Sequence, residues 1–274
     1  MLFNTRSLIL LVMVIAAHAS ALCAPGATPQ SLSPADSARL KCWIDSTGKV
    51  PVYSMKRQRY LDSALAIVPS NAYWWQQKAM PLYKLKKYDI AERYLDSAVK
   101  YDAMKYIDYR GFMKCIFSKR YQSAKEDFRQ SKQIIGDGAV MDHTYDFYIG
   151  LCCLQLNELD SATQYLEYTV NKQRTTLGSK WVHPLDVFYL GIAYYEEERY
   201  TEAIAAFDTS IQLYPQFSDA KYYKSLCLWR MGKEEESKAV LADARKDIND
   251  GYTIVEDNEI YEKYPYQIDK RWFR

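Results

Sequence analysis

The chain has 274 residues, 36 Lys plus Arg against 34 Asp plus Glu, and a hydrophobic share of 49%, which fits one large globular domain or two small ones. A formal net charge of +2, with Lys84, Lys86 and Lys87 as its densest basic cluster, lacks the electrostatic footprint of a nucleic-acid binder. The 25 Tyr and 6 Trp are the unusual feature, because such amphipathic groups either fill a core or face a ligand.

Residues 1–21 carry Arg6 as their single charge, then an apolar run over residues 8–17, then small residues. This is the pattern of a secretory signal peptide, and the run is too short to span a bilayer. Two sites compete for cleavage, Ala17-His18-Ala19 and Ala19-Ser20-Ala21, with the second preferred. Cys23 raises a lipid anchor as a minor reading, since the preceding Ser20-Ala21-Leu22 departs from a lipobox at its first and third places. No other long apolar run follows, so the expectation is a periplasmic or extracellular protein without a transmembrane segment after signal removal. Cys42, Cys115, Cys152, Cys153 and Cys227 fit no zinc motif. Cys152 and Cys227 are expected as small core groups, and the adjacent Cys152 and Cys153 point about 100° apart on a helix, which disfavours a bond between them.

After an N-terminal segment over residues 22–54, the chain repeats itself. Arg59-Tyr60-Leu61-Asp62-Ser63-Ala64 recurs unchanged as Arg93-Tyr94-Leu95-Asp96-Ser97-Ala98, an offset of 34 residues. A further copy reads Val187-x2-Leu190-Gly191-x2-Tyr194, then Tyr200-x2-Ala203-x3-Phe207, then Pro215. From small residue to small residue the interval is twelve positions at Ala79 to Ala91, Gly150 to Ala162, Gly191 to Ala203 and Ser225 to Ser237; Gly111 to Ala124 is one longer. A bulky residue follows each: Leu95, Leu166, Phe207, Leu241 and Phe128. Small residues at these places let two antiparallel helices cross closely while the bulky ones fill the flanking holes.

This period and pattern resemble the tetratricopeptide repeat. Over residues 55–248 the resemblance implies an all-α fold, an α-solenoid of antiparallel helical hairpins wound as a right-handed superhelix. Five hairpins are placed, and Leu61, Ala64 and Pro69 supply the second helix of an earlier degenerate one. Lys78 stands where Leu is usual, and Pro81 inside a first helix predicts a kink or an early helix start. Longer connections are expected around Gly136-Asp137-Gly138 and over residues 172–184.

Material for catalysis is sparse. His143 and His183 lie in no metal-ligand or triad spacing; both precede first helices at the longer loops, so a shared site is conceivable, but two solvated loop histidines are the expectation. No catalytic, cofactor or metal site is predicted. The resemblance implies instead a concave groove lined by first helices, carrying Tyr73, Met80 and Tyr83; Phe147, Leu151 and Leu154; Phe188, Ile192 and Tyr195; and Tyr222, Leu226 and Trp229. Such an apolar, aromatic set favours a protein or peptide ligand, with carbohydrate stacking as the alternative and an enzyme built on loop residues as a third; against all of these stands a groove that packs on itself or on the C-terminal tail. Residues 249–274 fall outside the repeat and are expected as an ordered cap: a helix capped by Asp257, containing Ile260, Tyr261 and Tyr264, ended by Pro265 and packed on the last hairpin. Whether Trp272 and Phe273 continue into the groove is open.

Overall fold

The computed structural model describes residues 32–273; the expected leader, its cleavage sites and Cys23 lie outside the described residues. Twelve α-helices run in order: α1 (Pro34–Thr47), α2 (Met55–Ile67), α3 (Ala72–Lys84), α4 (Tyr88–Tyr101), α5 (Ala103–Phe112), α6 (Tyr121–Ile134), α7 (Tyr145–Gln155), α8 (Leu159–Leu177), α9 (Pro184–Glu196), α10 (Tyr200–Leu213), α11 (Ser218–Arg230) and α12 (Glu234–Asn249). Successive helices pair as six hairpins, and each hairpin packs on the next. Among the described residues the fold is all-α apart from one small β-hairpin, β1 (Ala139–Val140) with β2 (His143–Thr144). No helix among the described residues is long and apolar enough to cross a membrane.

The repeated hexapeptide is a repeated set of contacts. Leu61 and Ala64, like Leu95 and Ala98, are fully buried between helices. Tyr60 packs on Trp43 at 5.7 Å with rings 31° apart, and Tyr94 packs on Trp75 at 5.9 Å and 32°. Asp62 pairs with Lys78 and Asp96 with Arg110, each reaching the first helix of the following hairpin. This also accounts for Lys78 at an apolar place: its stem is buried, its ammonium meets Asp62, and the Tyr94 ring lies 4.3 Å away.

Two departures in the sequence have visible remedies. The extra residue between Gly111 and Ala124 is absorbed by a π turn over Met113–Phe117, which directly continues α5. Pro81 neither starts α3 nor ends it. The Gln77 carbonyl, which a proline four residues on leaves without its helix donor, accepts from Arg57 Nη1 at 3.1 Å, so the hydrogen bond lost inside the helix is replaced from α2. The expected loop over residues 172–184 is corrected in part: α8 continues to Leu177 and stops at Gly178, whose φ of 93° suits glycine. A short 3-10 turn, Ser179–Trp181, then leads to α9.

The helix crossings are tightest at Gly191. A Cβ there would sit 2.5 Å from Phe207 Cε1; at Gly150 it would sit 2.8 Å from Leu166 Cγ, and at Gly111 3.1 Å from Phe128 Cζ. Single Gly→Ala substitutions should therefore lower the melting temperature in the order Gly191, Gly150, Gly111, with about 1–3 kcal/mol lost at Gly191. An unchanged melting temperature for Gly191→Ala would show that the α9–α10 crossing is looser than described.

Candidate functional site

Much of the face presented by the first helices is already covered, and what covers it is the chain's own C-terminal segment. Gly251, at φ 93°, turns the chain out of α12. Residues 252–256 then run past the start of α11 toward β2, residues 257–262 turn beside α3 and α4, and residues 263–273 return to the last hairpin. No helix forms over residues 257–264, which corrects the expected Asp257-capped cap. The groups meant for that helix are engaged elsewhere: Glu262 accepts from the Tyr88 hydroxyl and pairs with Lys86 at 3.1 Å, Lys84 Nζ lies 4.5 Å from the Tyr261 ring, and Ile260 is exposed.

Because this segment lacks regular structure up to a short 3-10 turn at Lys270–Phe273, its backbone groups need partners on the helices. Asp219, in the first turn of α11, supplies several. One carboxylate oxygen accepts from Ile254 N at 3.2 Å and Thr253 Oγ1 at 2.8 Å; the other accepts from Ile268 N at 2.8 Å. Burial pushes this carboxyl up to about 6, against the opposing pull of those donors. Tyr189 Oη donates to the Pro265 carbonyl at 2.7 Å, and Lys119 Nζ donates to the Lys263 carbonyl at 2.5 Å. Gln267 ties the limbs together, donating from Nε2 to Glu259 at 2.8 Å and to Thr253 Oγ1 at 3.4 Å. Ile254, Tyr264 and Ile268 join the same buried cluster as α7 and α9.

The twelve groove residues divide accordingly. Tyr83, Phe147, Leu151, Phe188 and Ile192 are fully buried and Leu154 nearly so; Met80, Tyr195, Tyr222 and Leu226 are half-buried; Tyr73 and Trp229 are exposed. Tyr222 meets Trp272 at 5.7 Å and Phe273 at 5.6 Å, so the end of the chain does lie against the last first helix. Sequence reasoning missed a second row. Tyr109, Tyr148, Tyr189 and Tyr223 each stand two residues before the small residue of a first helix. Two of them meet the tail: Tyr189 through its hydroxyl, and Tyr223 against Tyr266 at 5.9 Å. Their common register was the signal. Toward the N-terminal end an uncovered trough remains, lined by Tyr73, Gln76, Gln77, Tyr106, Asp108 and Tyr109.

His143 is buried and His183 half-buried, which corrects the expected solvated pair, and the burial of His143 has a local cause. The two-residue turn Met141-Asp142, with both φ positive, folds β2 back on β1 and carries His143 inward. Its ring stacks on Phe147 at 4.2 Å and meets His183 edge-on at 4.6 Å. His143 Nδ1 lies 2.6 Å from Asp186 Oδ1 and Nε2 lies 3.4 Å from Glu256 Oε1. Burial opposes charge on His143, but the two carboxylates outweigh it and push the imidazole up to about 10. Burial, aided by His143, lowers His183.

Removing Asp219 should free both limbs of the tail. Asp219→Ala leaves buried donors without acceptors, at about 1–3 kcal/mol each, so limited proteolysis should cut residues 252–270 much faster. With a folded value near 6 against 3.8 for a free carboxyl, the group contributes most below about pH 4 and loses that contribution as pH rises to about 6. The melting-temperature gap between the parent chain and Asp219→Asn should shrink across that window; a constant gap would show that the carboxyl titrates normally.

Comparison with known proteins agrees with the repeat. The tetratricopeptide-repeat model matches residues 185–217, and no curated protein sequence matches the chain. Among solved structures, the chain is similar to YrrB, a TPR protein with an unusual peptide-binding site, at 18% identity and a TM-score of 0.50 over 69% of this chain and 93% of that one. It is also similar to PilF of Pseudomonas aeruginosa, at 17% identity and a TM-score of 0.53 over 80% and 92% of the two chains. The C-terminal part of a TPR repeat-containing protein from Cytophaga hutchinsonii matches at 16% identity and a TM-score of 0.54, over 79% of each chain. At these identities the likeness is one of fold. Together with the 34-residue period and the six helical hairpins, it shows that the described residues have the tetratricopeptide-repeat fold, with residues 185–217 matching the repeat's family model.

Proposed function

We propose that the chain is a non-enzymatic scaffold of the cell envelope that binds a protein or peptide on the aromatic face of its first helices. One observation carries this reading: the face already holds a polypeptide without helix or strand, residues 252–268 of the chain itself. Several of the holding contacts go to main-chain atoms, from Asp219, Tyr189 and Lys119, so they recognise a backbone more than one particular sequence. YrrB, a neighbour in fold, has a peptide-binding site, which fits the same use of the architecture. Being tethered, the tail acts at high effective concentration, so an outside ligand must bind tightly enough to displace it or begin on the uncovered trough. The envelope location rests on the leader pattern of residues 1–21. N-terminal sequencing of the expressed protein checks it, with a start between Ser20 and Cys23 expected.

The trough supports carbohydrate as the second reading. Tyr73, Tyr106 and Tyr109 lie there among the amides of Gln76 and Gln77 and the Asp108 carboxylate, and rings interleaved with such groups suit a sugar's apolar faces and hydroxyls.

A peptide of residues 250–274 separates these readings. Added to a chain truncated after Asn249 and shown by circular dichroism to keep its helices, it should bind saturably in a calorimetric titration. Tyr189→Phe should weaken that binding about fivefold, the worth of one hydrogen bond. A folded truncated chain that ignores the peptide but binds glycan would transfer the function to the trough.

A further inference from the structure

The geometry points to a site for a divalent transition-metal ion of the zinc type, with His143, His183 and Asp186 as ligands. It lies where the β-hairpin before α7 meets the loop before α9, and it is independent of what the first-helix face binds. One ring nitrogen of each histidine and one Asp186 oxygen lie within 4.8 Å of one another. Tetrahedral zinc holds such atoms at about 2.0–2.2 Å from itself, hence about 3.3–3.6 Å from one another, so closing the site needs side-chain shifts of up to about an ångström.

The surroundings are those of a held ligand set. Gln173 donates from Nε2 to Asp186 Oδ2, leaving Oδ1 toward His143, and its Oε1 accepts from His183 N at 3.0 Å. A single side chain thus orients two of the three ligands. With an ion on the Nδ1 side of His143, Nε2–H donates to Glu256, the usual arrangement in which a metal-bound histidine gives its other N–H to a carboxylate.

Position and ligand type agree on the ion: the Asp186 and Glu256 carboxylates both lie within 3.4 Å of the His143 ring. Two imidazoles beside one carboxylate suit zinc or its transition-metal neighbours, whereas magnesium and calcium prefer oxygen ligands alone. The fourth position is left for water. Through Glu256 the ion would also steady the tail.

The test uses the full chain, free of tag histidines and in a Cys42→Ser background, because Cys42 is exposed and could bind zinc on its own. After chelation and dialysis at neutral pH, titration with zinc alone should load one ion per chain at micromolar affinity or tighter and raise the melting temperature, while magnesium should do neither. Cobalt in its place should give visible absorption bands. His183 is half-buried, and its Nδ1 accepts from Leu185 N at 3.3 Å at the start of α9, a bond that a Gln oxygen can accept in its place, so His183→Gln should change the metal-free melting temperature little and lose at least tenfold in zinc affinity. Gln173→Ala, which touches no ion, should lose affinity more modestly. Substoichiometric loading of the parent, or equal affinity in His183→Gln, would overturn the site.

Discussion

One buried carboxylate holds the C-terminal segment in place. Asp219 accepts from Ile254 N and Thr253 Oγ1 on the outgoing limb and from Ile268 N on the returning limb. A segment without helix or strand enters an apolar face only if its N–H groups find acceptors there, since an unpaired buried amide is costly. Asp219 is placed to serve because it sits in the first turn of α11, where the helix N-terminus favours negative charge. The contacts of Tyr264 and Ile268 with the core presuppose this clasp, which brings the two limbs side by side.

The need for cover follows from the helices. In α7 every residue from Tyr145 to Leu154 is buried, and in α9 every residue from Leu185 to Ala193. Helices apolar on all sides have no face to give to solvent. Neighbouring hairpins bury two sides and the tail a third. At the other end α1 buries nothing and Tyr73 of α3 is exposed, so the array is closed in its centre and open toward its N-terminal side.

The repeat was legible in the sequence because close helix crossing is a local rule: a small residue faces a bulky one at Gly191 and Phe207, or at Gly150 and Leu166, and the interval follows. Even the extra residue after Gly111 was visible, although its form, a π turn, was not. The tail's course was hidden. Asp257, Ile260 and Tyr264 carry a valid local helix signal, but Tyr88, Lys84 and Lys119, more than a hundred residues away in sequence, take the groups that such a helix would organise. Contacts of this kind have no period. The histidines were readable as a residue type and not as a place, since His143 and Asp186 meet only after two hairpins have stacked. The groove positions that the resemblance implied lie on first helices, some buried and some exposed. They missed the tyrosines at Tyr148, Tyr189 and Tyr223, because the family's register describes a groove open to an outside ligand.

The tail is held unevenly, and that sets the direction in which it can yield. Its far turn is fixed by Lys86 and Glu262 and by Lys84 over Tyr261, on a surface where Ile260 is exposed; such partly solvated pairs are individually weak. Its two limbs are fixed by the buried Asp219, the Tyr189 hydroxyl and the Glu256–His143 contact, in a setting where hydrogen bonds are stronger and harder to give up. Opening therefore begins at residues 257–262 and runs back toward α11. The uncovered trough shares α3 with that turn, Tyr73 and Gln77 at one part of the helix and Lys84 at its end. A ligand that settles first in the trough stands on the helix from which the tail is most easily lifted, and needs to break Asp219's hold only after it has gained contacts of its own.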